Sequence, residues 1–145
     1  MAEHANLWPT DLLQATVDTP VVLLKEQASQ LGPLTHGRLT ARVRSNSEVL
    51  TPPSVWIDLG KGAAPIFRQS FEIVAPPINF AYVLFDVFHG PDGYPAILEF
   101  WGTDRKTAAN REALESYLQQ IFADNRTKRL IASIIAMVGV PSSAT

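Results

Sequence analysis

A chain of 145 residues has the length of one ordinary domain, and a hydrophobic fraction of 46% is enough to form a core. The formal net charge of -2 argues against a dedicated nucleic-acid-binding protein, which usually carries a strong basic excess. Because the sequence contains no cysteine, thiol catalysis, disulfide bonds and cysteine-ligated metals are excluded. We therefore expect a single domain over residues 1–145.

The sequence shows no pattern typical of export or of a membrane span. Residues 1–4 lack the positive start of a signal peptide, and Asp11 interrupts the apolar stretch that follows. The longest apolar run, Leu130 to Val140, is far shorter than the roughly 20 residues that a spanning helix needs. These features predict a cytoplasmic protein with no membrane partner.

The first regular element in chain order is a helix. Residues 1–18 have no clear hydrophobic period and predict an irregular arm. Thr19 can cap a helix, and Pro20 at the first helical position sacrifices no hydrogen bond. Gly32-Pro33 is expected to end this helix. Its apolar positions fall at helical spacing: Val21, Leu24, Ala28 and Leu31.

From Arg38 the hydrophobic period changes to two, which predicts a half-buried strand with apolar residues alternating with arginines. Asn46-Ser47 is predicted to be a turn. Residues 48–65 are predicted to be mostly loop, although residues 54–57 have the composition of a short strand. Ile66 to Val74 is the next predicted strand, and Pro76-Pro77 follows it because proline cannot donate to a ladder.

Two further strands are predicted over residues 80–89 and 94–101, on either side of the turn sequence Gly90-Pro91-Asp92-Gly93. They form a hairpin. Nine of the 13 aromatic residues lie between Phe67 and Trp101. We therefore expect the core to centre on this part of the sheet.

Two registers of this hairpin are compatible with its turn sequence. A two-residue loop places Phe85 opposite Leu98 and Val83 opposite Phe100, whereas a glycine bulge places Leu84 opposite Phe100. Burial usually sets the register where one face of a sheet is covered, which favours the first alternative. In that register Val83, Phe85, Leu98 and Phe100 point at the helices.

The helical period returns after Thr107 and predicts two C-terminal helices. Asp124-Asn125 is expected to break the first helix and to cap the second. Gly139 and Pro141 stop the second helix, and residues 141–145 are predicted to be a frayed tail. The two apolar stripes are Leu114, Leu118, Ile121 and Phe122, and then Leu130, Ile131, Ile134, Ile135 and Val138. Both predict core, with the alternative that part of the second stripe covers a partner.

The order of elements predicts the fold class. One helix, three to five antiparallel strands and two more helices indicate an α+β fold in two layers. The sheet is expected to be a meander with a central hairpin, packed by one N-terminal and two C-terminal helices. Because no strand–helix–strand alternation occurs, a Rossmann-type cofactor site is not expected.

Few residues have the spacing that catalysis or metal binding requires. Asp86 beside His89 could orient and charge the imidazole, but no nucleophile motif accompanies them. The three histidines lack metal-ligand spacing, and Gly60-Lys61-Gly62 lacks the rest of a phosphate loop. We therefore predict that the protein is not an enzyme and has no cofactor or metal. A hydrolase-like activity of His89 and Asp86 is the third hypothesis.

The outer face of the sheet suggests a function in binding. In the favoured register it carries Tyr82, Phe88 and Trp101 beside Arg42 and Arg68, and aromatic residues and arginine are enriched at interfaces. The leading hypothesis is a protein-interaction module that binds a protein partner or itself and binds no nucleic acid.

Two other interpretations of the same residues remain. The first is a small-ligand binding domain, for an anion or an apolar molecule, with a pocket between the sheet and the helices. The second is a solvated face on which the arginines pair across strands with carboxylates: Glu72, Asp86 and Glu99.

Overall fold

Among the described residues, a five-stranded antiparallel sheet carries three helices, which confirms the predicted α+β class. The computed structural model describes residues 7–12, 18–48, 66–102 and 104–139. The strands follow each other in the order β1-β2-β3-β4-β5, so the sheet is a meander. The elements are α1 (Pro20–Leu34), β1 (Thr40–Glu48), β2 (Ile66–Ala75), a 3-10 turn (Pro76–Ile78), β3 (Phe80–His89), β4 (Ala96–Phe100), β5 (Asp104–Ala108), α2 (Arg111–Ala123) and α3 (Asn125–Val138).

Four predictions lie wholly or largely outside the described residues. They are the loop over residues 48–65, the short strand within it at residues 54–57, the tail at residues 141–145 and most of the irregular arm at residues 1–18.

Helix α1 begins at Pro20 as predicted, but its ends are built differently from the prediction. The side chain of Thr19 makes no capping hydrogen bond. The helix continues through Pro33 to Leu34, and the left-handed residues that turn the chain come later, at His36 and Gly37, with φ of 53° and 79°. The Gly37 N–H donates to the Gly32 carbonyl oxygen at 2.8 Å, which satisfies an end carbonyl of the helix.

Strand β1 is longer than predicted, and the predicted turn at Asn46-Ser47 is wrong. Both residues belong to β1, with Asn46 opposite Arg68 and Ser47 opposite Phe67. Pairing with the ten-residue strand β2 supplies backbone hydrogen bonds along the whole of β1. That nonlocal pairing outweighs the local preference of Asn-Ser for a turn.

The β3–β4 hairpin adopts neither of the two predicted registers. Phe85 lies opposite Phe100 and His89 opposite Ala96, so the connection spans residues 90–95. A proline at position 95 cannot donate to the ladder, which is consistent with β4 starting only at Ala96. The actual register is two positions away from the favoured one, so the alternation of faces is preserved. Phe85 and its partners on β4 therefore point at the helices, as expected.

A bulge in β3 reverses the expected side for Val83. Phe71 lies opposite Phe85 and Glu72 lies opposite Val83, so Leu84 is an extra residue on β3. Leu84 and Phe85 are both buried, and Val83 turns to the outer face of the sheet. The prediction that Val83 points at the helices is therefore wrong, because one inserted residue shifts all side chains before it to the other face.

The core lies between the inner face of the sheet and the helices. The Phe71 and Phe85 rings are stacked with centroids 4.9 Å apart, and the Phe122 centroid lies 5.6 and 6.1 Å from them. On α2 the apolar stripe is buried, apart from a half-buried Phe122. On α3 only Ile134 of the predicted stripe is buried, and its other members are half-buried.

Side-chain caps begin both C-terminal helices. The Ala113 N–H donates to Asn110 Oδ1 at 2.9 Å, and the Arg126 N–H donates to Asp124 Oδ1 at 2.7 Å. The predicted break and cap at Asp124 are confirmed.

Candidate functional site

The outer face of the sheet is a network of cross-strand ion pairs. One row across the five strands contains Arg44, Ser70, Asp86, Glu99 and Arg105. Asp86 accepts from the Ser70 hydroxyl at 2.6 Å and from Arg68 at 3.1 Å. Glu99 accepts from Arg105 at 2.9 Å. The two carboxylates that face each other on β3 and β4 are therefore each compensated by an arginine.

A buried carboxylate lies in the next part of this network. Glu72 Oε1 is 2.6 Å from Arg42 Nε, and Glu72 Oε2 is 2.8 Å from Arg44 Nη2. The Glu72 side chain is 3% exposed, whereas both arginine side chains are 56% exposed. Arg42 and Arg68, the two predicted binding arginines, are thus each engaged with a carboxylate of their own chain.

The three predicted binding aromatics do not share a face. Phe88 is on the outer face but buried, with the Arg68 guanidinium 5.7 Å from its ring centroid. Tyr82 lies before the bulge, opposite the buried Ile73, and is 37% exposed. Trp101 follows β4 in a turn. The continuous aromatic patch expected from the sequence is therefore not formed, because the bulge and the end of β4 separate its members.

Asp86 and His89 point to opposite faces of β3. Asp86 lies opposite Ser70 on the outer face, and His89 lies opposite Phe67, against which its ring stacks at 5.5 Å. A shared cleft for the hydrolase-like hypothesis is absent from this part of the described structure.

Both ring nitrogens of His89 are used in hydrogen bonds. A carbonyl oxygen can only accept, so the 2.8 Å contact with Gly90 assigns the proton to Nδ1. Nε2 then accepts from the Gln69 amide at 3.1 Å, and Gln69 accepts from the Ser45 hydroxyl. Burial lowers the pKa of His89 from its ordinary value of 6.5, against the raising effect of the Gly90 hydrogen bond. The ring is therefore neutral at pH 7 and acts as a structural link.

We expect the free energy of unfolding to fall as the pH is lowered from 6.5 to about 5, where carboxylates begin to titrate. In this window His89 binds a proton in the unfolded chain, whereas its lowered pKa keeps it unprotonated in the folded chain. The unfolded state therefore binds more protons and is favoured as the pH falls. Above pH 6.5 the contribution of the neutral ring is complete. His89→Gln should flatten this part of the profile, measured by denaturation at several pH values. The exposed His36 gives the control His36→Gln, and equal profiles for the two variants would contradict the expectation.

The first half of β3 has an open edge. Strand β4 pairs only with Phe85–His89, and no other described strand pairs with that side of Phe80–Leu84. These five residues contain neither a charge nor a proline. Tyr82 and Val83 are 37% and 39% exposed. The segment lacks the charges and prolines with which edge strands usually avoid pairing with other chains.

A cleft of about 470 Å³ lies beside this edge. It is lined by Tyr82, Val83, Asp86, Glu99, Trp101 and Arg126, together with their neighbours. The cleft begins where β4 leaves β3, so it occupies the track along which β4 would have continued. We call Phe80–Leu84 together with this cleft the edge site.

Trp101, at the end of β4, and Arg126, on α3, both line the edge site. Trp101 has φ of 53°, which is rare for a bulky residue, and Gly102 follows it with φ of 82°. The Arg126 guanidinium lies 4.5 Å from the centroid of the Trp101 ring and also pairs with Asp124 at 3.2 Å. These contacts hold the Trp101 and Arg126 side chains in place. The edge site thus brings together two of the predicted binding residues, Tyr82 and Trp101.

A second, smaller groove lies between α1 and α3. Its volume is about 220 Å³, below the roughly 300–1,000 Å³ of typical ligand pockets. No charged residue lines it, so it offers no group for an anion. Its floor consists of the core residues Phe71, Ile73 and Leu84.

The described residues contain neither a metal site nor a membrane-spanning helix. No group of three or more histidine, aspartate or glutamate side chains there could hold a metal ion. None of the helices there has the length and apolar character needed to span a bilayer. In comparisons with protein families, curated proteins and solved structures, nothing matches the chain.

Proposed function

We propose that the protein is an interaction module that binds an extended segment of a protein partner as an added strand at the edge site. The observation that carries this proposal is a run of five uncharged β3 residues, Phe80–Leu84, beside an open cleft. On the side away from β2, no strand among the described residues pairs with them. Strand addition at a sheet edge is a common mode of peptide recognition, in which backbone hydrogen bonds supply affinity and side chains supply specificity.

The side chains at the edge site determine which residues a bound partner strand should carry. A strand lies about 4.8 Å from its neighbour, so a strand added beside Phe80–Leu84 would enter the cleft that Trp101 also lines. Tyr82 and Val83 present an aromatic and a β-branched side chain on opposite faces of the sheet. Cross-strand pairs with such residues contribute roughly 0.2–1 kcal/mol each, and each net backbone hydrogen bond contributes about 1 kcal/mol.

The charges around the edge site favour an uncharged segment. Asp86 and Glu99 already pair with Arg68 and Arg105, and Arg126 pairs with Asp124. A charged side chain of the partner would have to displace one of these contacts. We therefore propose a partner segment rich in β-branched and aromatic residues, and a cytoplasmic module that binds protein rather than nucleic acid.

A small apolar ligand in the groove between α1 and α3 is the second candidate function. The apolar lining favours it, because a dry apolar cavity of about 150 Å³ can hold a benzene-sized molecule. The small volume limits such a ligand to roughly one ring or one short aliphatic chain.

The test of strand addition uses two valines of nearly equal exposure. Val83 on β3 is 39% exposed, and Val22 on α1 is 41% exposed. Ten-residue peptides selected by display against the full chain should bind about tenfold or more weakly to Val83→Lys, since lysine blocks edge pairing. Val22→Lys should bind them like the wild type.

Titration calorimetry gives these affinities, and amide chemical shifts locate the peptide. Shifts concentrated in Phe80–Leu84 support strand addition. Peptides that bind both lysine variants equally, or that shift residues of the α1–α3 groove instead, would contradict it.

A further inference from the structure

The open edge of β3 is complementary to itself, and from this we infer that the added strand is Phe80–Leu84 of a second copy of this chain. This inference rests on the proposed function and names its partner. A two-fold axis perpendicular to the sheet places two copies of the same edge side by side in antiparallel orientation. Tyr82 then faces Tyr82 of the second copy, Phe80 faces Leu84, and Ala81 faces Val83.

The lengths of the open segments match. In each copy the described strands leave the edge open over five residues, between the 3-10 turn that ends at Ile78 and the point where β4 pairs with Phe85. Antiparallel self-pairing about Tyr82 fills all five positions in both copies. It also brings the exposed Ile78 of one copy towards the Trp101 turn of the other, so an apolar contact closes each end of the paired segment.

The composition of the segment permits self-pairing. Opposed like charges would destabilise a symmetric pair of strands, but Phe80–Leu84 contains no charge. The pairs formed are Tyr82 with Tyr82, Phe80 with Leu84, and Ala81 with Val83. Aromatic and apolar pairs of this kind are favourable across antiparallel strands. The net charge of -2 per copy adds little long-range repulsion.

Helix α3 extends the same interface into a second layer. Arg126 lines the edge site, and helical periodicity places Leu130 and Met137 on the same flank of α3. Leu130 is half-buried and Met137 is exposed. A two-fold axis perpendicular to the sheet keeps the helices of both copies on one face, so the two α3 flanks approach each other there.

This second layer matters because stable interfaces bury about 1,200–2,000 Å² in total, more than a five-residue strand can cover alone. Leu130 and Met137, which the rest of the described chain leaves incompletely covered, gain a partner in this arrangement.

The oligomeric state of the full chain tests the inference. Sedimentation equilibrium over about 1–100 µM should give a dimer for the wild type and for Val22→Lys. In Val83→Lys the association should be weakened at least tenfold, which shifts the equilibrium towards monomer. Circular dichroism and thermal melts confirm that all three are folded.

A cysteine at the symmetry centre tests the register. Because the chain has no native cysteine, Tyr82→Cys places a single thiol opposite its own copy, and mild oxidation should cross-link it. Val22→Cys is the matched control and should stay uncross-linked. Cross-linking that is equal in both variants would overturn the register.

The outcomes separate this inference from the proposed function. A monomeric wild type, or a dimer that Val83→Lys leaves unchanged, overturns self-pairing. If the selected peptides still bind in a Val83-dependent manner, the edge site accepts a different protein segment and the proposed function stands. If peptide binding is also independent of Val83, the proposed function fails as well.

Discussion

Replacing Phe85 by alanine should destabilise the fold by about 3–5 kcal/mol, the usual cost of removing a buried phenylalanine. Phe85 is 2% exposed and stacks on Phe71 with ring centroids 4.9 Å apart, and Phe122 completes the cluster from α2. The loss includes the contacts with both rings and the cavity left between sheet and helices. Urea denaturation followed by tryptophan fluorescence measures the difference.

The matched control is Tyr82→Ala, on the same strand but 37% exposed. We expect this change to cost about 1 kcal/mol or less, since much of its side chain already contacts solvent in the monomer. Denaturation at a protein concentration low enough to dissociate the proposed dimer keeps the effects on stability and on association apart. Equal losses for the two variants would show that the aromatic cluster is not the centre of the core.

The double substitution Arg42→Ala/Arg44→Ala is the second change with a large expected effect. It leaves the Glu72 carboxylate, 3% exposed, without the two guanidinium groups that lie 2.6 and 2.8 Å from it. Breaking a buried ion pair from one side costs about 3–5 kcal/mol, because a charge stays buried without compensation. Adding Glu72→Gln should recover most of that loss, since a neutral amide is far cheaper to bury.

A double-mutant cycle in urea measures this coupling. Arg105→Ala is the control, because its partner Glu99 is 33% exposed and exposed pairs contribute about 1 kcal/mol or less. A loss for the double variant as small as that of Arg105→Ala would contradict the assignment of Glu72 as a buried anchor between β1 and β2.

These ion pairs also explain why the edge site, rather than the arginines, carries the proposed function. Arg42 and Arg68 hold neighbouring strands together through Glu72 and Asp86. A partner carboxylate would compete with these contacts before gaining any affinity. The backbone of Phe80–Leu84 pairs with no described strand on the side that β4 leaves open, so a partner strand there adds contacts without breaking others.

Local chemistry was enough to determine the class of fold. The change of period from helical to alternating and back, with the caps at helix starts, gave the order of helices and strands. The alternation also placed Phe85 and its partners on β4 on the helix side. That prediction is correct although the predicted register is wrong, because an error of two positions leaves each side chain on the same face. The cross-strand pairing of arginines with Glu72, Asp86 and Glu99 was also among the sequence interpretations.

Only the tertiary structure decided the register, the bulge and hence the edge site. In the hairpin connection, Gly93 packs so closely against the start of α1 that an added Cβ would lie 3.2 Å from the Asp18 carbonyl oxygen. The bulge at Leu84 moves Val83 to the outer face and leaves Tyr82 apart from Phe88. The open edge depends on β4 having half the length of β3. Each of these features results from contacts between residues far apart in the chain, so no local period or turn propensity contains them.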